Sequence, residues 1–147
     1  MKKIRLATLL FAISAFIFSS CRKEPQNTTC TPSSTTIAGT YNIVAATYKE
    51  SSTSVEIDYF KAPYTAPCER DDIITYNTDG TYQYKDGGTV CSPLGNTNGT
   101  WVFVGTTSMQ MNGDNYIIDS FDCKTLITIR PNKFLQGDRL KITLARQ

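Results

Sequence analysis

The chain has 147 residues, 19% of them charged, with a formal net charge of +2 and no histidine. Without histidine, nucleophilic pairs of the Ser–His or Cys–His kind cannot be assembled, and His-containing zinc sites are excluded. Five cysteines are the main remaining source of covalent chemistry.

Lys2, Lys3 and Arg5 open the chain with positive charge, and Leu6 to Phe18 is apolar or small apart from Thr8 and Ser14. This is the pattern of a secretory signal peptide, with a run too short to span a bilayer, which takes about 20 residues. Phe18-Ser19-Ser20-Cys21 resembles a bacterial lipobox. The resemblance implies that residues 1–20 are removed, that Cys21 is lipidated, and that the protein sits in the cell envelope as an outer-membrane lipoprotein. More than one acyl chain on Cys21 gives a stable membrane anchor, which a single chain does not. Loss of three positive charges moves the net charge from +2 to −1. No basic patch is left to point to nucleic acid.

Residues 21–36 carry Pro, Thr, Ser and charge without apolar periodicity, which predicts a flexible tether. From residue 37 to 147 the pattern is strand after strand. Tyr41, Ile43 and Ala45 alternate with Asn42, Val44 and Ala46, and Val55, Ile57 and Tyr59 with Glu56 and Asp58. Ile73–Asn77 and Thr81–Lys85 flank Thr78-Asp79-Gly80, a hairpin signal. Trp101–Val104 reads as apolar on both faces. Met109–Met111, the turn at Asn112-Gly113-Asp114, Tyr116–Phe121 and Leu126–Arg130 follow. A brief turn of helix is expected near Pro131–Phe134, before a last strand through Leu140, Ile142 and Leu144. Eight or nine short strands joined by tight turns predict an all-β fold, a small antiparallel up-and-down β-barrel closed so that no edge is exposed. Gly39-Thr40-Tyr41, Gly80-Thr81-Tyr82 and Gly99-Thr100-Trp101 each place Gly-Thr-aromatic at a strand start, with the ring expected to pack at a barrel end.

Setting Cys21 aside leaves Cys30, Cys68, Cys91 and Cys123, an even number suited to disulfides in an oxidising compartment. With a two-residue turn at Asp79-Gly80, Cys68 and Cys91 fall opposite each other in the hairpin. With a three-residue loop they miss by one residue, unless Gly87-Gly88 supplies a second bulge. Either register predicts a Cys68–Cys91 bridge; Cys30 and Cys123 then either pair by elimination, pinning the tether to the barrel, or stay as two unpaired thiols.

Taken together, Gly39-Thr40-Tyr41, Cys68-Glu69-Arg70-Asp71-Asp72, Tyr76-Asn77-Thr78-Asp79-Gly80-Thr81-Tyr82, Cys91 and Gly99-Thr100-Trp101 resemble the lipocalin-like domains of Bacteroidetes lipoproteins. The resemblance covers nearly all of Ile37–Leu144. It implies a lipocalin or calycin barrel of about eight strands and a non-enzymatic binding role. The arginine of the family's closing motif is expected at Arg130 or Arg139.

No catalytic residues, metal site or cofactor are expected. Asp71-Asp72 is the one paired-carboxylate feature. It reads more readily as a solvated hairpin base, or as a carboxylate accepting from exposed backbone amides, than as a calcium site. Tyr82 and Tyr84 share one strand face, as do Trp101 and Phe103; if their faces turn inward, these four either fill the interior of a barrel packed solid or are the ligand-binding residues of a small pocket. The leading expectation is a barrel that binds a small hydrophobic or amphipathic molecule at the envelope. The alternative is a protein-interaction module, either a protease-inhibitor-like barrel or an accessory subunit of an envelope complex, working through Thr47–Ser54 and Lys61–Pro67.

Overall fold

The computed structural model describes residues 30–147. The expected signal segment 1–20, the expected lipidation site Cys21 and the first part of the expected tether lie outside them. Eight antiparallel strands close into a barrel: β1 (Gly39–Lys49), β3 (Ile73–Tyr76), β4 (Thr81–Lys85), β5 (Thr97–Val104), β6 (Ser108–Met111), β7 (Asp114–Phe121), β8 (Thr125–Pro131) and β9 (Arg139–Arg146). Neighbours follow chain order, and β9 returns to pair with β1, so the up-and-down barrel expected from the strand pattern is closed. A two-residue strand, β2 (Ile57–Asp58), pairs with the far end of β1.

The registers give the barrel two different ends. Gly39 faces Tyr76 and Tyr41 faces Arg146, so the start of β1, the β3–β4 hairpin tip and the end of β9 share one end. Lys49 faces Arg139 and Pro131 also faces Arg139, so the other end is ringed by the connections 50–72, 86–96 and 132–138. The first end is a packed floor. Ile37, Tyr41, Met109 and Leu126 are fully buried there, with Tyr76, Tyr82 and Trp101 around them. Tyr76 meets Tyr41 edge-on at 5.9 Å and Trp101 at 5.2 Å, the offset geometry that aromatic quadrupoles favour.

All three Gly-Thr-aromatic steps deliver their ring to this floor, as their recurrence predicts. Gly99 has a steric reason as well. Tyr82 lies across it in the ladder, and a side chain at 99 would collide with the Tyr82 ring and the Asn112 amide.

Several expectations need correction. The β3–β4 hairpin pairs Tyr76 with Tyr82 and Ile73 with Lys85. The loop is therefore three residues, Thr78-Asp79-Gly80, with Gly80 at φ 83°, and not the two-residue turn. β1 bulges between Ile43 and Ala45, which turns Ala46, rather than Ala45, to the inside. Val102 and Val104 are exposed on the outer wall; only Trp101 and Phe103 of that run face inward. Val55 and Tyr59 fall outside β2, because the amides of Tyr59 and Phe60 both turn back to the Ala46 carbonyl, at 2.9 and 3.1 Å. No helix forms near Pro131–Phe134, where the chain instead wraps around Asp138.

The end of the predicted tether is not free chain. Ser34–Ile37 forms a one-turn helix, α1, capped by Ser33, whose hydroxyl accepts from the Thr36 amide at 3.1 Å. The Ser/Thr composition that suggests a linker is also cap chemistry. Ile37 is driven into the floor, and Arg146 fastens the turn. Its Nη2 donates to the Thr36 carbonyl and, at 2.6 Å, to the Tyr41 hydroxyl, while the guanidinium lies 5.1 Å from the Tyr41 ring centre. The closing arginine is thus Arg146. Arg130 pairs with Asp114 at 2.5 Å and Arg139 reaches only Glu56 at 4.0 Å.

Candidate functional site in the open end of the barrel

Above the packed floor the barrel holds a cavity of about 420 Å³, open toward the 50–72 and 132–138 connections. This is within the size range of small-molecule sites. Its barrel wall is Ile43, Ala46, Leu140 and Ile142, with Tyr84 opposite; its rim is Tyr59, Phe60, Tyr64, Thr65, Glu69, Lys133 and Phe134. The bulge in β1 turns Ala46 into this wall in place of the equally small Ala45.

Aromatic rings build the rim. Tyr59 stacks on Tyr64 at 5.3 Å and lies 5.8 Å from Phe134, and Tyr48 joins both from β1 at 5.9 and 5.5 Å. Tyr64 and Phe134 are each about half exposed, at 48% and 51%, so the aromatic surface continues from the cavity to solvent. These residues lie on irregular connections, where no strand or helix period marks them. The one available signal was their density in Tyr59–Tyr64, three aromatics within six residues.

The four aromatic residues singled out in the sequence divide between floor and cavity. Tyr82 and Trp101 are buried in the floor, and Phe103 packs against the same cluster. The Tyr82 hydroxyl accepts from the Asn112 amide at 2.9 Å, and the Trp101 indole donates to the Asn77 carbonyl at 2.9 Å. Tyr84 alone of the four lines the cavity. Its hydroxyl donates to the buried Asp72 carboxylate at 2.6 Å. Burial first, and then Asp72, push the Tyr84 phenol up, so it remains a protonated donor.

The connections at this end are held by carboxylates. Asp138 accepts from the amides of Lys133, Phe134 and Leu135 at 2.6, 2.9 and 2.8 Å, and from the Tyr48 hydroxyl at 3.0 Å. Burial raises its carboxyl pKa, but the amides of Leu135 and Phe134, the Tyr48 hydroxyl and the Lys133 amide overcome that and hold it below the usual value. Asp86 accepts from the amides of Cys91 and Gly95, at 3.0 and 3.1 Å. Asp71 takes the Thr89 amide at 2.8 Å and Asp72 the Gly87 amide at 3.2 Å, so this pair does accept from backbone amides. Among the described residues no group of three His, Cys, Asp or Glu is placed to hold a metal.

Two disulfides complete the frame, one at each end. Cys30–Cys123 joins the chain before α1 to the β7–β8 turn at the floor, with Cα atoms 5.5 Å apart. Cys68–Cys91 joins the 50–72 and 86–96 connections at the open end, with Cα atoms 5.4 Å apart. Cys68 sits in a 3-10 turn, Pro67–Glu69, and Cys91 in a loop. The bridge therefore links two connections beyond the β3–β4 ladder and does not cross it.

No curated protein matches the chain. The lipocalin-like domain family matches residues 37–134, from the end of α1 into the connection before β9. With two thirds of the sequence matched and a closed eight-stranded barrel around an internal cavity, the chain belongs to the lipocalin-like domain family.

Proposed function

We propose that this protein is a non-enzymatic, lipid-anchored envelope protein that takes up a small hydrophobic or amphipathic molecule through the open end of its barrel. The cavity carries this reading: about 420 Å³, with an aliphatic wall, an aromatic rim and polar groups from Thr65, Glu69, Lys133 and the tyrosines. The stretch from Lys2 to Cys21 supports the anchor, and export to an oxidising compartment suits two disulfides. The tether enters the barrel beside Cys123 at the floor. Nine residues from Cys21 to Cys30 then span at most about 30 Å, which keeps the floor of the barrel close to the anchor.

A neutral lipophilic dye such as nile red tests uptake without favouring either charge. The exported protein carrying Cys21→Ser, otherwise whole, is expected to bind the dye and to carry no acyl chain by mass spectrometry. Ala46→Phe, which places a ring inside the cavity, is expected to weaken dye binding at least tenfold while the far-ultraviolet β-signature stays unchanged. Undiminished binding in a folded A46F protein rules the cavity out as the site.

A further inference from the structure

The aspartates around the mouth are already engaged: Asp138 and Asp72 hold amides and tyrosines, and Asp114 holds Arg130. Glu69, which also lines the cavity, accepts the Ala66 amide with one oxygen at 2.8 Å, and its other oxygen accepts from no described residue. Lys133 is different. It lines the cavity, is half-buried, and among the described residues has no carboxylate within ion-pair distance. Its ammonium rests 5.4 Å from the centre of the Phe134 ring. Its backbone is fixed, because the amides of Lys133 and its two successors all donate to Asp138. A partly buried cation on a fixed backbone attracts an anion more strongly than the same cation in water.

We propose that the cavity takes an anionic amphiphile, with its apolar chain between Ala46, Leu140 and Ile142 and a carboxylate headgroup paired with Lys133. This rests on reading the cavity as the ligand site and adds the charge of its occupant. A cationic headgroup at the Phe134 face would meet the Lys133 ammonium already held there. A neutral ligand leaves that ammonium covered and unpaired, at a cost.

The test is a matched series, decanoate, decanol and decyltrimethylammonium, measured by displacement of nile red from the Cys21→Ser protein and from Lys133→Gln and Lys133→Arg variants of it. Decanoate is expected to bind about tenfold tighter than decanol, the scale of one charge-assisted hydrogen bond. The ammonium compound should bind weakest. Lys133→Gln should erase the preference for decanoate and Lys133→Arg should keep it. Equal binding of decanoate and decanol, tightest binding of the cation, or a preference that survives in Lys133→Gln overturns the proposal and leaves the cavity reading intact. So does a protein that binds nile red but none of the three chains. If nile red itself does not bind, the cavity reading falls and this proposal with it.

Discussion

Arg146 offers the sharpest test of how the floor is closed. In Arg146→Ala the Thr36 carbonyl and the Tyr41 hydroxyl each lose a charged donor, and the Tyr41 and Phe121 rings, 5.1 and 5.9 Å from the guanidinium, lose a cation. Hydrogen bonds to charged groups contribute about 1.5–3 kcal/mol each and a cation–π contact about 0.5–2 kcal/mol. The full sum is not lost, because the Tyr41 hydroxyl still donates to the Ile37 carbonyl at 2.7 Å, and water reaches part of the vacated space. About 3 kcal/mol is the expected net destabilisation. At roughly 4 °C per kcal/mol for a domain of this size, Tm falls by about 12 °C. Arg146→Lys should recover less than half, since one ammonium does not reproduce the planar fork lying over a ring. The control is Arg139→Ala, whose half-exposed side chain stands 4.0 Å from Glu56 and should cost about 0.5 kcal/mol or less. Scanning calorimetry of the four proteins decides it. If Arg146→Ala melts within two or three degrees of Arg139→Ala, the account of the floor is wrong.

Two other perturbations address the open end. Replacing both Cys68 and Cys91 by Ser opens a loop with a sequence separation of 23 and should cost about 3 kcal/mol in urea unfolding. Unchanged stability would mean that the connections hold themselves without the bridge. Asp138→Asn should lower Tm at neutral pH. Because the folded carboxyl lies below its unfolded value, its stabilisation is present above about pH 3.9 and disappears as pH falls through the folded value. The Tm difference between wild type and Asp138→Asn should therefore shrink as pH drops below about 3.9, and a gap that widens instead refutes the assignment.

The parts of the structure that were legible in the sequence are those governed by a period or a turn rule. The alternation of Tyr41 with Ile43 and of Leu140 with Ile142 and Leu144, and the glycine turns between strands, are enough to indicate a closed up-and-down sheet. What escaped the pattern depends on residues without a period. The bulge at Val44 reverses the inside and outside of β1 beyond it, and nothing in Ile43-Val44-Ala45-Ala46 marks which residue is extra. Arg130 and Arg139 drew attention as closing arginines, yet the one that closes the floor is Arg146, which Tyr41 faces directly in the β1–β9 register. The candidate ligand residues divided for a similar reason. Period 2 places Tyr82 and Tyr84 on the same face but carries no information about depth. Two residues of rise, roughly 7 Å, separate a ring in the floor from one in the cavity.

The way the mouth is stabilised explains why a cavity persists in so short a barrel. Long connections usually gain stability by sending apolar side chains down into the barrel, which would fill it. Here the backbone amides of 133–135, Gly87, Thr89, Cys91 and Gly95 are satisfied by four carboxylates at the rim, Asp138, Asp72, Asp71 and Asp86. The connections are then fixed by polar contacts in their own layer, with Cys68–Cys91 tying two of them together. Their aromatic residues are left free to stack on one another around the opening, and the aliphatic wall below keeps its space. The same arrangement occupies Asp138, Asp72, Asp71 and Asp86 with amides and leaves Lys133, among the described residues, lining the opening with no carboxylate within ion-pair distance.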